Sequence, residues 1–197
     1  MIYLIHPDYQ HYKSFVLDNK AVRKALGSET LFHFSRAPQS YLDGWQPFEI
    51  GFAALGVSEK AAMPDIMVRN GRLFLTAPAF AALGGLLEKH GEFLPVTYGG
   101  KDGHLFNVLS LAESVKGIDT KLSTKNEFGE VQSLAFHEDK VKGLLLFRTA
   151  FDGYMGIYCT EGFKAAIDES NFKGLIFSND IGSIFPPDAD VSGPSSH

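Results

Sequence analysis

Apolar residues occur in this chain mainly as short runs, many of them bounded by Gly, Asn or Asp. Runs of this kind predict β-strands rather than long helices. The predicted strands cover residues 2–5, 31–34, 72–75, 93–96, 104–108, 144–147, 155–159 and 174–177. The pattern therefore predicts a protein rich in short strands.

Helical spacing of apolar residues appears in three places. Residues 78–89 place Phe80, Leu83, Leu86 and Leu87 on one predicted helix face. Residues 162–169 do the same with Phe163, Ala166 and Ile167. A third helix is predicted over residues 12–26, where Phe15, Val16, Val22 and Leu26 recur roughly at helical spacing.

The first two helices lie inside similar units, residues 72–96 and 154–177. Each unit has an apolar strand, a Thr, a helix carrying Phe, a Gly and a second apolar strand. Thr76 and Thr160 are predicted N-caps, because a Thr side chain accepts a hydrogen bond from an unpaired amide of the first turn. Phe80 and Phe163 are predicted to correspond, 83 residues apart. Either an old duplication or a common supersecondary pattern explains the similarity.

These elements predict an α+β fold with mixed, mainly antiparallel sheets, because short turns connect several strands. The helix inside each unit allows a local parallel pair. We expect one domain over residues 1–185, made of two lobes joined near residues 97–130, and a flexible tail over residues 186–197. The polar segment 115–132 is predicted to be a loop, and Gly99-Gly100 a turn.

Charge and composition narrow the function classes. The chain has 197 residues and a formal net charge of −5. Lys and Arg form no block, which disfavours general nucleic-acid binding, and the acidic balance suits a basic partner. The single cysteine, the N-terminus without a secretion signal and the lack of a membrane-length apolar run predict a cytoplasmic protein that does not enter membranes.

Candidate chemistry is sparse. His137 lies beside Glu138 and Asp139, a cluster that suits acid–base or metal chemistry but is more typical of a solvated turn. Cys159 precedes a predicted helix, as some reactive thiols do, but its apolar strand favours core packing. No phosphate loop, nucleophile elbow, dinucleotide fingerprint or paired metal spacing occurs. We expect no cofactor and no metal.

Several short motifs of the second half carry a family resemblance. In chain order they are HLFNVLS from His104, GIDTKLS from Gly117, GLLLFR from Gly143, GIYCTEGFKAAID from Gly156 and KGLIF from Lys173. Over about residues 63–177 the chain resembles the immunity protein eleven family of bacterial polymorphic toxin systems. The matching positions are Asn107, Asp119, Ser123, Phe147, Arg148, Phe163, Gly174 and Phe177.

The resemblance implies a non-catalytic protein that neutralises a cognate protein toxin by occlusion, with a basic effector domain as the expected partner. Asn107, Asp119 and Ser123 are expected to fix loop structure. Residue type alone suggests the toxin-binding candidates, which are Asp43, Trp45, Glu49, Asp102, Glu138 and Asp139. Trp45 is equally suited to cover the core. The alternatives are a small hydrolase that uses Cys159 or His137, and a scaffold protein of a phage or secretion cluster.

Overall fold

The computed structural model describes residues 1–26, 35–56 and 60–182 of the chain. The predicted strand over 31–34 and the predicted tail over 186–197 lie outside these residues. The strands are β1 Ile2–Pro7, β2 Ser14–Val16, β3 Gly51–Ala53, β4 Ile66–Arg69, β5 Arg72–Thr76, β6 Gly91–Tyr98, β7 Lys101–Val108, β8 Thr124–Lys125, β9 Val131–Ser133, β10 Leu146–Phe147, β11 Tyr158–Thr160 and β12 Leu175–Ser178. The helices are α1 Asn19–Leu26, α2 Ala77–Leu87, α3 Glu138–Val141 and α4 Glu161–Ser170, with a 3₁₀ turn over Ala112–Val115.

Two four-stranded sheets form the framework. Sheet I has the order β4-β5-β7-β6, and sheet II has the order β10-β11-β1-β12. The first strand of the chain thus belongs to the sheet built otherwise from the last three strands. Two-stranded ladders, β2 with β3 and β8 with β9, complete the described sheets. The predicted α+β class is confirmed.

The two predicted strand–helix–strand units occupy the same place in the two sheets. In sheet I, β5 and β6 flank β7, and α2 connects them. In sheet II, β11 and β12 flank β1, and α4 connects them. Each unit's two strands therefore run parallel to one another but are not neighbours. The local parallel pair that each unit allows does not form, because an antiparallel strand lies between the two strands, and parallel pairing within the described residues is limited to isolated bridges.

The strand registers make the two sheets equivalent residue by residue. Leu75 pairs with His104 in sheet I, and Cys159 pairs with Tyr3 in sheet II, one residue before the threonine that ends each strand. On the other side of the central strand, Phe93 pairs with Phe106. The matching pair in sheet II is Phe177 with Ile5.

One apolar core lies between the two sheets and contains both long helices. Leu83 of α2 and Ile167 of α4 are buried in it, together with Leu75 of sheet I and Cys159 of sheet II. A second cluster covers the outer face of sheet I, where Phe15 and Tyr41 pack on the sheet. A third cluster covers part of the outer face of sheet II with Ala112, Leu134 and Val141. Burial on both faces of the sheets explains why apolar residues follow one another along the strands.

The helix starts correct two details of the prediction. The Thr76 hydroxyl accepts a hydrogen bond from the Ala79 amide at 3.4 Å, as predicted, but the Thr160 side chain makes no capping bond. Because both helices start directly after their threonine, Phe163 corresponds to Ala79 and not to Phe80. Leu86 does not share the buried face of Leu83 and Leu87 as the spacing predicts, because its side chain is exposed.

The predicted helix over 12–26 is helical only in its second half and contains a short strand before it. Residues Ser14–Val16 pair with β3, and α1 starts only at Asn19. The Asp18 carboxylate accepts a hydrogen bond from the Ala21 amide at 2.8 Å, which fixes this later start. The predicted loop over 115–132 is largely irregular but contains β8 and the start of β9, and Gly99-Gly100 forms the predicted turn between β6 and β7. Within the described ranges, no helix has the length and apolar character to span a membrane.

Candidate functional site

A row of four polar residues crosses the outer face of sheet I. Arg69 pairs with Arg72, Arg72 with Asn107, and Asn107 with Glu92 on four successive strands. We call these four residues the polar row. Since neighbouring positions on adjacent strands share a face of the sheet, the row brings two guanidinium groups to one end and one carboxylate to the other.

The Glu92 end of the polar row is closed by the segment 39–41. The Glu92 carboxylate accepts hydrogen bonds from the Tyr41 amide at 2.8 Å, the Asn107 amide group at 2.8 Å and the Ser40 hydroxyl at 2.6 Å. The Asn107 side chain also donates to the Gln39 carbonyl at 2.8 Å. These bonds fix the segment over the sheet and leave this end of the row buried.

The opposite end of the polar row opens into a cavity of about 490 Å³, which we call the arginine pocket. Arg36, Arg69 and Arg72 line it, together with Phe15 and Tyr154. The Asn70-Gly71 turn between β4 and β5 has positive φ at both residues, as a tight hairpin turn requires. This turn is what sets Arg69 directly opposite Arg72.

Arg148, which directly follows β10, does not line the arginine pocket but hydrogen-bonds two residues that do. It is 1% exposed, and its Nη2 donates at 2.6 Å to the carbonyls of Arg36 and Tyr154, two residues that line the pocket. A Cβ on Gly71 would lie 2.6 Å from that nitrogen, so the turn needs glycine there for space as well as for its backbone conformation. Burial lowers the pKa of Arg148, and it lowers the pKa of Arg72 to about 10, which leaves Arg72 a cation at neutral pH.

A larger concavity of about 880 Å³ adjoins the arginine pocket, and we call it the crevice. The two cavities share Arg69, Asn70 and Met155 as lining residues. The crevice is lined further by the end of β1, by residues that precede β11 and by Glu130 and Val131 at the start of β9. It lies on the part of the outer face of sheet II that the described residues of the third cluster do not cover.

Polar groups inside the crevice are fixed or buried. The Asp152 carboxylate accepts hydrogen bonds from the Tyr158 hydroxyl and the Gly156 amide, both at 2.8 Å. Burial raises the pKa of Asp152 and also that of Tyr158. His6 is 4% exposed, its Nε2 makes no hydrogen bond with the described residues, and burial lowers its pKa, so its imidazole is neutral at pH 7.

Large apolar side chains are exposed around the crevice. Met155 is 61% exposed and Leu55 is 46% exposed, and both line the crevice. Phe128 is 80% exposed in the loop between β8 and β9, two residues before Glu130. The Asn126 side chain accepts hydrogen bonds from the amides of Phe128 at 3.0 Å and Glu130 at 2.9 Å, which orders this loop.

The six predicted interface residues fall into two groups on different sheets. Glu49 and Asp102 flank Thr97 at one end of sheet I, and Trp45 donates from Nε1 to the Pro95 carbonyl at 2.9 Å nearby. Asp43 is exposed in the same segment as Trp45.

Glu138 and Asp139 belong to α3, which packs on sheet II, and Glu138 lies 3.1 Å from the N-terminal amine. None of the six lines the arginine pocket or the crevice. Trp45 is half-buried against Phe48 and the outer cluster of sheet I, so it does cover the core.

The two candidate catalytic residues lie in unlike places. Cys159 is buried in the core between the sheets, as predicted, and burial raises the pKa of its thiol. A buried, protonated thiol is a poor nucleophile. His137 is half-exposed at the start of α3, with its Nδ1 3.7 Å from an Asp119 carboxylate oxygen. Within residues 1–26, 35–56 and 60–182, no three or more His, Cys, Asp or Glu side chains are grouped to hold a metal ion.

The residues that carry the family resemblance have structural contacts. Asp119 accepts a hydrogen bond from the Lys121 amide at 2.9 Å, and Ser123 accepts one from the Ala135 amide at 3.0 Å. With the bonds of Asn107 above, all three fix loops, as predicted. Gly174 has φ +119°, and a Cβ there would lie 2.1 Å from the Ile66 carbonyl oxygen, so the position needs glycine.

The aromatic residues of the resemblance belong to the scaffold. Phe147 and Phe163 are buried, and Phe177 packs against the core between the sheets. The motif therefore describes a framework and says little about the surface that this framework presents.

Sequence reasoning missed the arginine pocket, although one signal was present. Residues 69–72 read Arg-Asn-Gly-Arg, and an Asn-Gly pair between apolar runs indicates a two-residue hairpin turn. That turn places two like charges opposite each other, which destabilises a hairpin. Arg36, Arg148 and Tyr154 reach the same place from distant parts of the chain and carry no such local signal.

No protein-family model matches this chain, and no curated protein matches it.

Proposed function

We propose that this protein is an immunity protein that binds a cognate bacterial toxin and neutralises it by occlusion, without catalysis. The resemblance to the immunity protein eleven family supports this function. The observation that carries the proposal is the grouping of exposed apolar side chains, Leu55 and Met155 with the nearby Phe128, around the crevice.

Exposed aromatic and Met side chains are costly on a surface that meets only water, and grouped ones mark interaction sites. Phe128 lies in a loop that hydrogen bonds already order. A partner that buries such a side chain loses less conformational entropy than one that must order it first. These features favour a protein partner that inserts into the crevice and buries Phe128.

Charge favours a basic partner. The chain has a net charge of −5, and Glu49 and Asp102 are exposed close together on sheet I. Such acids act at long range, since complementary fields accelerate encounter even where they contribute little affinity. The proposal places the protein in the cytoplasm, where its single buried Cys159 needs no oxidising environment.

Co-expression with the product of the adjacent gene tests the proposal. We expect rescued growth and a stoichiometric complex that co-purifies. Phe128→Asp and Met155→Asp introduce a charge at the crevice, and we expect each to weaken the complex by at least about tenfold, the loss of one interface anchor of about 1.4 kcal/mol or more. Leu86→Asp is the control, because Leu86 is an apolar residue on α2 that is 49% exposed and lies outside the crevice.

The same assay separates occlusion from the alternatives. Cys159→Ser and His137→Ala are expected to retain both binding and protection. Loss of protection with retained binding in either variant favours a hydrolase. The absence of a toxin gene beside this one, with neither rescue nor complex, favours a scaffold protein.

A further inference from the structure

The hairpin formed by β8 and β9 presents the most exposed large apolar side chain of the described residues. Phe128, which is 80% exposed, lies in the connection between the two strands, residues 126–130, which we call the hairpin tip. The tip reads Asn-Glu-Phe-Gly-Glu, so one acid directly precedes the phenylalanine and another follows it two residues later. Glu127 and Glu130 are both exposed. The tip therefore combines one aromatic ring with two carboxylates and contains no basic residue.

Asn126 holds the hairpin tip in one conformation. Its side-chain oxygen accepts hydrogen bonds from the amides of Phe128 and Glu130, and its own amide donates to the Glu130 carbonyl at 2.9 Å. Its side-chain nitrogen donates to a Glu130 carboxylate oxygen at 2.7 Å. An Asn side chain that bonds the backbone two residues further on fixes a turn. The tip is therefore ordered before any partner contacts it.

The hairpin is also fixed at its base. The Ser123 hydroxyl donates to the Ala135 carbonyl at 3.2 Å and accepts a hydrogen bond from the Ala135 amide at 3.0 Å. The Lys125 ammonium lies 4.9 Å from the centre of the Phe151 ring, a distance at which an aromatic face attracts a cation. The basic residue nearest in sequence to the tip is thus engaged by a ring of the scaffold.

The hairpin tip adjoins the crevice, which is the proposed docking surface. Glu130 and Val131 line the crevice, whereas the Phe128 ring lies outside it. So exposed a ring contributes little apolar burial to the fold, but an apolar recess on a partner would remove its surface from water. Aromatic side chains are enriched in the buried centres of protein interfaces. Preordering lowers the entropy that such an insertion costs.

We propose that the hairpin tip enters an apolar recess of the toxin whose rim carries basic side chains. Phe128 fills the recess, and Glu127 and Glu130 pair with Lys or Arg at the rim. This role rests on the proposed function and adds to it the element of this chain that enters the toxin and the chemistry that receives it. The two acids favour a basic rim, because like charges across an interface repel. They disfavour a lipid surface, whose anionic head groups repel carboxylates.

Charge reversal at the hairpin tip tests the basic rim. Glu127→Lys is expected to raise the Kd for the co-expressed toxin about tenfold or more, mainly through slower association, and to weaken the salt dependence of the association rate. Glu127→Gln is expected to raise the Kd about threefold, the loss of one exposed ion pair. Surface plasmon resonance at several salt concentrations measures both rates.

Glu169→Lys is the matched control for charge reversal. Glu169 is exposed on α4 and lies outside both cavities, and its reversal changes the net charge by the same amount. It is expected to change the Kd less than about twofold, because salt screens exposed charges that lie far from the interface. Circular dichroism of each variant checks that the fold is kept.

Photochemical cross-linking tests the recess. Phe128→benzoylphenylalanine places a photoreactive ring at the hairpin tip, and we expect it to cross-link to apolar toxin residues that have Lys or Arg beside them. Reversal of one such basic residue to Glu in the toxin is expected to recover about threefold or more of the affinity that Glu127→Lys loses.

The outcomes separate this role from the proposed function. If the parent chain binds the toxin, equal effects of Glu127→Lys and Glu169→Lys would overturn the role of the tip and leave the proposed function standing. Cross-links to an acidic surface, to a second copy of this chain or to no toxin residue would do the same. A parent chain that forms no complex would overturn both.

Discussion

Sheet I and sheet II share one strand order and one register, yet their outer faces are covered to different extents. Asn107 and His6 occupy equivalent positions on the two central strands. Asn107 is bonded to Glu92 and to the Gln39 carbonyl beneath an ordered segment. His6 lines the crevice, and its Nε2, like the Oδ1 of Asn107, has no partner among the described residues.

The two sheets also differ in the side chains that pack between each sheet and its helix. Phe80 stacks on His104 at 3.8 Å in sheet I, and at the equivalent place Lys164 lies over the Tyr3 ring at 5.9 Å in sheet II. The buried first-turn residue is Ala79 in α2 and Phe163 in α4. The two sheets therefore share one framework that is filled with side chains of different volume. The larger difference between them lies on their outer faces, where the arginine pocket and the crevice are.

The largest change in the free energy of unfolding is expected from a substitution in the apolar core that the two sheets share. Phe163→Ala removes a fully buried ring from between the sheets, and we expect a loss of about 3–5 kcal/mol in the free energy of unfolding. Urea denaturation measures it. Phe128→Ala, at an exposed ring, is expected to stay within about 0.5 kcal/mol of the parent. Similar losses in both variants would contradict the assigned burial.

The second largest change in stability is expected at Asn107, which we compare with His6, the equivalent position on the outer face of sheet II. Asn107→Ala removes two hydrogen bonds, one of them to a carboxylate, and we expect a loss of about 2–3 kcal/mol in the free energy of unfolding. His6→Ala is expected to cost less than half of that, because its Nε2 makes no bond and water from the crevice can fill the space. A larger loss for His6→Ala, in the same denaturation assay, would mean that sheet II is covered there as well.

The smallest effect is on acid stability. Burial lowers the pKa of His6 below its value of 6.5 in the unfolded chain, so the unfolded state binds the proton more readily. The stability contributed by neutral His6 is therefore present above pH 6.5 and decreases as the pH falls below it. His6→Asn, which copies the residue of sheet I, is expected to reduce the fall in Tm between pH 7.5 and pH 5.

His90 and His104, whose pKa values burial also lowers, contribute to the remaining fall. Lys101→Gln retains every histidine and is expected to keep the parent's pH profile. An unchanged profile in His6→Asn would show that His6 is accessible to protons in the folded state.

Much of the framework could be predicted from local patterns. Apolar runs located β1, β5, β6, β7 and β12, because strands buried on both faces need apolar side chains at nearly every position. The N-cap role of Thr76 and the Gly99-Gly100 turn were predictable from local residue chemistry alone. The insertion of β1 between β11 and β12 was not, since it depends on pairing between the two ends of the chain.

The candidate site was less accessible to sequence reasoning. Asp43, Glu49, Asp102, Glu138 and Asp139 are exposed, as their charge suggests, but they lie outside both cavities. The arginine pocket joins residues 36, 69, 72 and 154, which only the folded chain brings together. Local sequence indicates which helices and strands form, whereas a concave site arises where segments that are distant in the sequence pack together.

Hydrogen exchange of the complex with its toxin tests the central claim that the crevice is the docking surface. We predict slower exchange of the amides around Phe128–Val131 and Met155–Ile157 in the complex, with unchanged exchange around Leu86 on α2. Protection confined to residues 43–49 and Asp102, or to Glu138 and Asp139, with the crevice amides unaffected, would contradict the account.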